Sequence, residues 1–335
     1  MQSTMHTDKA TISGKPKRTF RDYIGLILRG MAMGASDIVP GVSGGTMAFI
    51  LGIYEELIDS IRVIGQPKLI QTVLRLRIKE VFQIVNWQFL LAVATGILLA
   101  ILTLSSGLEW MLVNQPVLLW SFFFGLVVAS VFSVSKRIKT WSLPLWLMLT
   151  VAAIGAYALV GLVPAQTPET WWFLLLSGAL AICAMILPGI SGAFILVLLG
   201  KYQYVLSAVN NREVATLFFV AIGAGVGLVT FAQILGWLFK RYHDMTVAAL
   251  TGLMVGSLRK VWPWKVDVAW LLDEAGNRIL DSHGEVIVVK QNNVLPALQG
   301  SGDMGELAGA VGLMLLGFGL ILLLERVANR KETTA

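Results

Sequence analysis

Long apolar runs separated by short polar segments fill most of the chain from residue 21 onward. Six of these runs have about the 17 to 25 residues that an α-helix needs to cross a membrane. The pattern therefore predicts an all-α polytopic membrane protein. We expect its full spans at residues 87–106, 112–135, 142–163, 215–239, 245–261 and 304–325.

Two more apolar segments, at residues 23–61 and 171–209, are interrupted near their middle. Each contains the pattern Pro-Gly-x-Ser-Gly, at Pro40–Gly44 and Pro188–Gly192. The Pro-Gly pair ends a helix, and the serine can cap the helix that follows. Irregular backbone at membrane depth is tolerated only where it is buried in protein or lines a watery cavity. We therefore predict two re-entrant, broken-helix hairpins whose tips approach each other near the middle of the membrane.

The two hairpins are related by an internal repeat. After 148 residues the stretch from Pro40 to Tyr54 recurs without gaps as Pro188 to Tyr202, with seven of fifteen positions identical. Further on the offset is 127, which pairs Gly125–Ser130 with Gly252–Ser257. The offset falls because the first half contains a basic connector, residues 62–80, that has no counterpart in the second half. The halves have opposite orientation, and such an inverted repeat is typical of alternating-access transporters.

These patterns divide the chain into consecutive segments. We expect a cytoplasmic basic tail at 1–20, a first inverted repeat at 21–140, a linking span at 142–163, a second inverted repeat at 171–261, an extracytoplasmic loop at 262–303, a final span at 304–325 and a cytoplasmic tail at 326–335. Within the loop, residues 281–290 are a candidate β-hairpin.

The distribution of basic residues orients this topology. Of the 26 Lys and Arg residues, 18 lie in segments on the side of the N-terminus and six on the opposite side. Arg29 and Lys201 lie within the hairpins. Cytoplasmic loops carry an excess of Lys and Arg, so we expect both termini in the cytoplasm. The first hairpin then enters from the cytoplasm and the second from outside.

Composition supports the membrane class and argues against other functions. The chain is 56% hydrophobic and 14% charged, whereas soluble domains carry about 25% charged residues. The net charge of +6 does not indicate nucleic-acid binding, because the basic residues lie in short loops. The single cysteine, Cys183, excludes an intrachain disulfide. The histidines fall in the tail or loops, and no ATP-binding or nucleophile-elbow motif is present. We predict no catalytic residues, no metal site and no cofactor.

The two helix breaks carry the candidate binding chemistry. A helix N-terminus offers unpaired N–H groups and a partial positive charge, glycines allow close approach, and serine adds a hydrogen bond. This chemistry suits an anion. The substrate-binding candidates are Gly41, Ser43, Gly44, Gly45, Thr46, Gly189, Ser191 and Gly192. The second break is less polar, because Ala193 and Phe194 replace a glycine and a threonine. The alternative interpretation is that the glycines only permit close helix packing.

Four charged residues near the breaks are further candidates. Asp37 lies three residues before Pro40, and ionisable residues at membrane depth are costly and usually functional. It is a candidate coupling group, with capping of the break as the alternative. Glu55 is a second coupling candidate. Arg29 and Lys201 are candidate contacts for a lipid phosphate, unless they only snorkel to the headgroups.

The first break resembles the signature of the bacterial polyprenyl-phosphate transporter family, through Gly34–Thr46 and Leu51–Leu57. Leu187–Gly192 with Leu199–Tyr202 resembles the second motif of that family, and the resemblance covers about residues 20 to 325. It implies a multi-pass protein of the bacterial inner membrane that returns undecaprenyl phosphate from the outer to the inner leaflet. This step recycles the carrier for peptidoglycan and other envelope polymers.

The residues alone indicate an inverted-repeat transporter of an anionic substrate, and the lipid is implied by the resemblance. One alternative is an ion-coupled secondary transporter of a small soluble anion. The other is a non-transporting scaffold, which leaves the paired breaks and Asp37 unexplained. The expected partners are undecaprenyl phosphate, membrane lipid and a coupling proton or sodium ion. The sequence is compatible with an oligomer, and no nucleic-acid partner is expected.

Overall fold

The computed structural model describes residues 18–39, 43–162, 164–165, 167–270, 278, 286, 288–296 and 301–332. This part of the chain is mostly helical and carries a two-stranded sheet. The elements are α1 (Phe20–Ile38), α2 (Gly44–Ile50), α3 (Tyr54–Ile64), α4 (Pro67–Leu74), α5 (Ile78–Ile84), α6 (Trp87–Asn114), α7 (Pro116–Ser135), α8 (Leu143–Val160), α9 (Trp171–Ile186), α10 (Gly192–Leu198), α11 (Tyr202–Asn210), α12 (Val214–Arg241), α13 (His243–Val261), β1 (Lys265–Trp270), β2 (Val288–Asn293) and α14 (Ser301–Glu332).

Five described helices are long and apolar enough to cross a membrane. They are α6, α7, α8, α12 and the stretch Met304–Arg326 of α14. The expected all-α membrane class is confirmed at this level, while the expected count of six full spans is not. The sixth expected span, 245–261, falls in α13. That helix is less apolar because acidic and basic residues occupy its first and last turns, and much of it is buried against α7 and α8.

The boundary expected between the first two spans also differs from the structure. The span predicted at 87–106 ends at residue 106, but α6 continues to Asn114. The following helix, α7, begins at Pro116 rather than at residue 112. Proline is favoured in the first turn of a helix because its missing N–H has no partner there in any case. Pro116 is therefore the signal that separates these two helices.

The second arm of each hairpin is broken once more, so the stretches 47–61 and 188–209 are not continuous helices. Helices α2 and α3 meet at Gly52, and α10 and α11 meet at Gly200, where the axis bends by 111°. Both glycines have positive φ angles, +72° and +63°, which favour glycine over residues with a Cβ atom. The amide of Ile53 bonds to the carbonyl of Ala48, which closes the end of α2.

The loop after α13 contains a sheet whose pairing differs from the predicted hairpin. Strand β2 does not fold back within residues 281–290 but pairs with β1 in antiparallel register, Lys265 opposite Asn293. Residues 281–285 and 287 lie outside the described residues. The correct partner follows directly after α13, so the sheet extends from the end of that helix.

Small residues set the distance between the long helices. A Cβ atom added at Gly30 of α1 would collide with the carbonyl of Val93 in α6. The same holds for Gly178 of α9 against Val220 in α12. Close approach through glycine is the usual means by which membrane helices associate. Each first hairpin arm is thereby held against the long helix that follows its hairpin.

The bend between α2 and α3 is anchored in the core. Phe49 and Tyr54, on either side of it, are both buried, and their ring centroids lie 4.9 Å apart in an edge-to-face arrangement. Phe239 of α12 lies 6.0 Å from the Tyr54 ring. This aromatic cluster fixes the position of the short helix α2, whose N-terminus carries the first Pro-Gly break.

Candidate functional site: two helix breaks in contact

The two broken tips are in direct contact. The Ser43 hydroxyl donates to the carbonyl of Met185, 3.0 Å away, and lies 3.2 Å from the carbonyl of Leu187. In the opposite direction, the amide of Gly189 donates to the Thr46 hydroxyl at 2.9 Å. The expectation that the tips approach each other is confirmed by these bonds between residues more than 140 positions apart.

The end of α9 supplies the carbonyl groups for this contact. The last carbonyls of a helix have no partner within the helix, and those before the second break are satisfied by the first hairpin. Tyr54 donates its hydroxyl hydrogen to the carbonyl of Ile186 at 3.2 Å. A Cβ atom at Gly45 would collide with that same carbonyl. Gly45 therefore serves close packing between the breaks, as the alternative interpretation stated.

The N-terminus of α2 is capped from within its own hairpin. Asp37 accepts a hydrogen bond from the amide of Gly44 at 2.7 Å, and the Ser43 hydroxyl accepts one from the amide of Gly45 at 3.1 Å. A side chain at Gly44 would collide with the Asp37 carboxylate. A ligand could reach the amide of Gly44 only by displacing Asp37, and that of Gly45 only by displacing the Ser43 hydroxyl. Gly41, a further candidate, lies outside the described residues.

The second break uses fewer polar groups. Ser191 precedes α10 without a side-chain capping bond, and Gly192 lies against the carbonyl of Ala181. Gly189 has a φ angle of +89°, and a Cβ atom there would come 2.7 Å from the Ser257 hydroxyl of α13. The second break is thus packed between the first break and α13.

The charged candidates do not gather at the breaks. Arg29, on α1, lies within electrostatic reach of Arg18 and Glu56. Glu55 lies 3.9 Å from Arg137 and 3.7 Å from His243. Among the four charged candidates, only Asp37 contacts a helix break through a described hydrogen bond.

Lys201 differs most from its expected position. Only 1% of the residue is exposed, so it does not snorkel toward lipid headgroups. Its ammonium group donates to the carbonyl of Thr167 at 2.8 Å and lies 5.6 Å from the centre of the Tyr204 ring. In this structure Lys201 connects the bend between α10 and α11 to the loop before α9.

Sequence reasoning missed a group of three cations beside the sheet. Arg259 and Lys260 end α13, and Lys265 begins β1, with its ammonium group donating to the carbonyl of Lys260 at 2.6 Å. Burial and the neighbouring Lys260 charge lower the pKa of Lys265 to about 7, against the opposing effect of Asp267. The available signal was the Arg-Lys pair one turn after the repeated segment Gly252–Ser257.

Metal binding has no candidate in the part of the chain that the structure describes. Within those residues, no three His, Cys, Asp or Glu side chains come together as a possible metal site. The polar chemistry of the breaks consists instead of hydroxyl groups, backbone amides and one carboxylate. Such groups suit recognition of an anion and exchange of a proton.

Apolar membrane-length helices combined with two broken hairpins, packed tip to tip, define a multi-pass transporter. The chain belongs to the VCA0040-like, undecaprenyl phosphate translocase-like family, whose family model matches residues 33–279. Similar proteins named polyprenyl-phosphate transporter occur in Vibrio cholerae and Staphylococcus aureus. The first is 42% identical, over 92% of this chain and 98% of its own length. The second is 33% identical, over 71% and 85%. No solved structure matches. The relatives are transporters, which agrees with the expectation that the chain is not an enzyme.

Proposed function

We propose that this protein translocates undecaprenyl phosphate from the outer to the inner leaflet of the bacterial cytoplasmic membrane. Two observations support the substrate: the family described as undecaprenyl phosphate translocase-like, and relatives named polyprenyl-phosphate transporter. The observation that carries the mechanism is the direct contact between the two helix breaks. Carrier returned in this way re-enters the synthesis of peptidoglycan and other envelope polymers.

The contact between the breaks acts as a closed gate in this proposal. The groups that would bind a phosphate are Ser43, Thr46 and the amides of Gly44, Gly45 and Gly189, and all of them are occupied by internal hydrogen bonds. When the breaks separate, the Ser43 and Thr46 hydroxyls and the amide of Gly189 lose their partners across the contact and become free. The amide of Gly44 becomes free when the phosphate displaces Asp37. These groups can then replace part of the hydration of a phosphate headgroup, while the prenyl chain stays in the bilayer.

Packing contacts support the inverted repeat that this mechanism needs. Gly30 against Val93 corresponds to Gly178 against Val220 by the two offsets seen in the sequence, 148 and 127. We infer two equivalent halves that rock against each other, so that the breaks open to one side and then to the other.

The same comparison extends each repeat by one helix. Gly125 of α7 lies against Met314 of α14, and Gly252 of α13 lies against Leu149 of α8. Gly125 and Gly252 are equivalent positions of the repeat, so α14 and α8 are equivalent too. Each half then contributes its last helix to the other half. The expected linking span at 142–163 and final span at 304–325 become members of the two repeats.

Membrane potential sets the energetic requirement. Moving negative charge inward against an inside-negative potential costs about 2.3 kcal/mol per charge per 100 mV. A phosphate monoester carries about −1.5 to −2 at pH 7, so uptake of a proton or sodium ion would offset the cost. Asp37 is the candidate coupling group, because its carboxylate contacts the break through the amide of Gly44.

Depletion of the protein in cells tests the proposed direction. We expect undecaprenyl phosphate at the outer surface, measured with a membrane-impermeant probe, to rise on depletion and to fall when the wild-type protein is restored. A Gly45→Val variant should not restore it, because the added side chain would meet the carbonyl of Ile186. An unchanged surface level in depleted cells, together with transport of inorganic phosphate by the protein, would instead support the soluble-anion alternative.

A further inference from the structure

Arg259, Lys260 and Lys265 form a group of three neighbouring cations at the end of α13 and the start of β1. Within the described residues, none of the three forms a salt bridge. Arg259 donates to the carbonyl of Tyr157 at 2.9 Å. The ammonium group of Lys260 lies 5.4 Å from the centre of the Phe194 ring, and that of Lys265 lies 3.8 Å from a ring of Trp120. Three cations are thus held together by carbonyls and aromatic rings.

These cations line a cavity in two parts. A narrow cleft is bounded by all three of them together with Phe194 and Gln291. A wider cavity of about 400 Å³ lies beside it, and Lys265 and Gln291 line both. The wider part is large enough for a phosphate group with its first isoprenoid unit, whereas the cleft is not. Lys260 and Arg259 line only the cleft, and Lys265 lies where the two parts meet.

The electrostatics favour an anion where the wider part meets the cleft, because all three cations line the cleft and no carboxylate of the described residues does. Removing cations from water is costly unless an opposite charge accompanies them. Asp267 lines the wider part, as does Glu306, but neither forms a salt bridge with the cations. A phosphate bound in the wider part would bring negative charge to this end of the cavity and accept a hydrogen bond from Lys265, which lines both parts. Charge-assisted bonds of this kind are about twice as strong as neutral ones.

The cleft lies close to the second helix break. On α13, Ser257 lies against Gly189, and Lys260 follows one turn later. Phe194, which Lys260 contacts, comes two residues after Gly192 at the start of α10. One helix thus carries both a cation of the cleft and the hydroxyl beside the break. The Phe194 ring lines the cleft.

We propose that the cavity lined by Arg259, Lys260 and Lys265 is a docking site for a phosphate monoester, occupied before the phosphate reaches the breaks. The proposal rests on the proposed function and its orientation, in which this face is extracytoplasmic and the phosphate is a lipid headgroup. Lys265 receives the headgroup in the wider part. When the breaks separate and the cleft widens, Lys260 and Arg259 attract the headgroup past Phe194 toward Gly189.

Binding measurements on the full chain in nanodiscs test this site. The probes are undecaprenyl phosphate in the bilayer and inorganic phosphate in solution. We expect the double variant Lys260→Gln and Lys265→Gln to bind undecaprenyl phosphate at least about tenfold more weakly, which corresponds to 1.4 kcal/mol. The matched control Arg212→Gln, an exposed cation outside the cavity, should bind like wild type. A charge-preserving Lys265→Arg variant should retain most of the affinity.

The outcomes separate the site from the function. If the double variant is folded, by its thermal unfolding, and binds undecaprenyl phosphate like wild type, the docking site is overturned while wild-type transport still supports the proposed function. If wild type moves no lipid but binds inorganic phosphate through the two lysines, the phosphate site stands and the proposed function fails. Weakened binding by Arg212→Gln as well would mean a diffuse surface attraction and would overturn the site.

Discussion

Individual hydrogen bonds between the breaks are the residue-scale basis of the account. Thr46 is 1% exposed and accepts the amide of Gly189. Thr46→Val keeps the shape but leaves that buried amide without a partner, which costs about 1 to 3 kcal/mol. We expect a lower thermal unfolding temperature in detergent. The control is Thr150→Val, because Thr150 is exposed and bonds only to a carbonyl of its own helix.

Asp37 is predicted to be needed for coupling rather than for folding. An asparagine can still accept the amide hydrogen of Gly44, so Asp37→Asn should remain folded and bind undecaprenyl phosphate. It should lose stimulation of transport by an imposed proton or sodium gradient, because it can no longer exchange a charge. Asp59→Asn, at an exposed carboxylate 3.9 Å from Arg62, is the control and should retain stimulation. Normal stimulation in Asp37→Asn would remove Asp37 from the mechanism.

Lys265 gives the docking site a pH dependence. Its pKa is lowered to about 7, and a bound phosphate would raise it, so binding above pH 7 takes up a proton. Affinity for inorganic phosphate should therefore be highest near pH 7 and fall as the pH rises to 9. The charged groups facing Lys265 are Lys260, Asp267 and Glu306. Titration calorimetry should show this decline in wild type and a flatter profile in Lys265→Gln.

At the scale of the element, the bends at Gly52 and Gly200 are equivalent positions of the two hairpins and can be compared by the same substitution. Both have positive φ angles, and an L side chain there costs about 1 to 2 kcal/mol. A Cβ atom at Gly52 meets nothing within 4 Å, whereas at Gly200 it would come 2.6 Å from the carbonyl of Ala165. Gly200→Ala should therefore lower the unfolding temperature more than Gly52→Ala. Equal effects would show that the bends do not differ in packing.

Local signals explain which elements could be predicted from the sequence. The Pro-Gly breaks were predictable because proline and glycine act on their own backbone. The bends at Gly52 and Gly200 could not be predicted, because a single glycine in an apolar run is tolerated inside a helix. The long helices follow from apolar length. The burial of α13 does not follow from apolar length, since it depends on α7 and α8, which pack against that helix.

The candidate site could be predicted only in part, for the same reason. Ser43 and Ser191 were identified from their place after the breaks, but the partners of Ser43 lie in α9 and its C-cap. Lys201 was placed near lipid because its burial results from residues distant in sequence. The cations Arg259, Lys260 and Lys265 read as ordinary loop charges. The cleft that they line also contains Gln291 and Asn293, which the pairing of β1 with β2 brings beside them and which the sequence did not reveal.

At the scale of the whole molecule, orientation is the next prediction. The charge distribution places Lys139 in the cytoplasm and Arg212 outside, and both are exposed in the structure. In a Cys183→Ala background, Arg212→Cys should react with an impermeant maleimide in spheroplasts, and Lys139→Cys only after permeabilisation. The reverse pattern would invert the topology, and with it the face on which the docking site lies.

The two hairpins are bonded to each other at their breaks, and the proposed mechanism requires this contact to open. The measurement that tests this account most directly is the movement of undecaprenyl phosphate between leaflets of proteoliposomes that contain the purified protein, with and without an imposed proton or sodium gradient. The account predicts movement that depends on the protein, increases with a gradient and loses that increase in Asp37→Asn. Folded protein that moves no undecaprenyl phosphate under any gradient would contradict it.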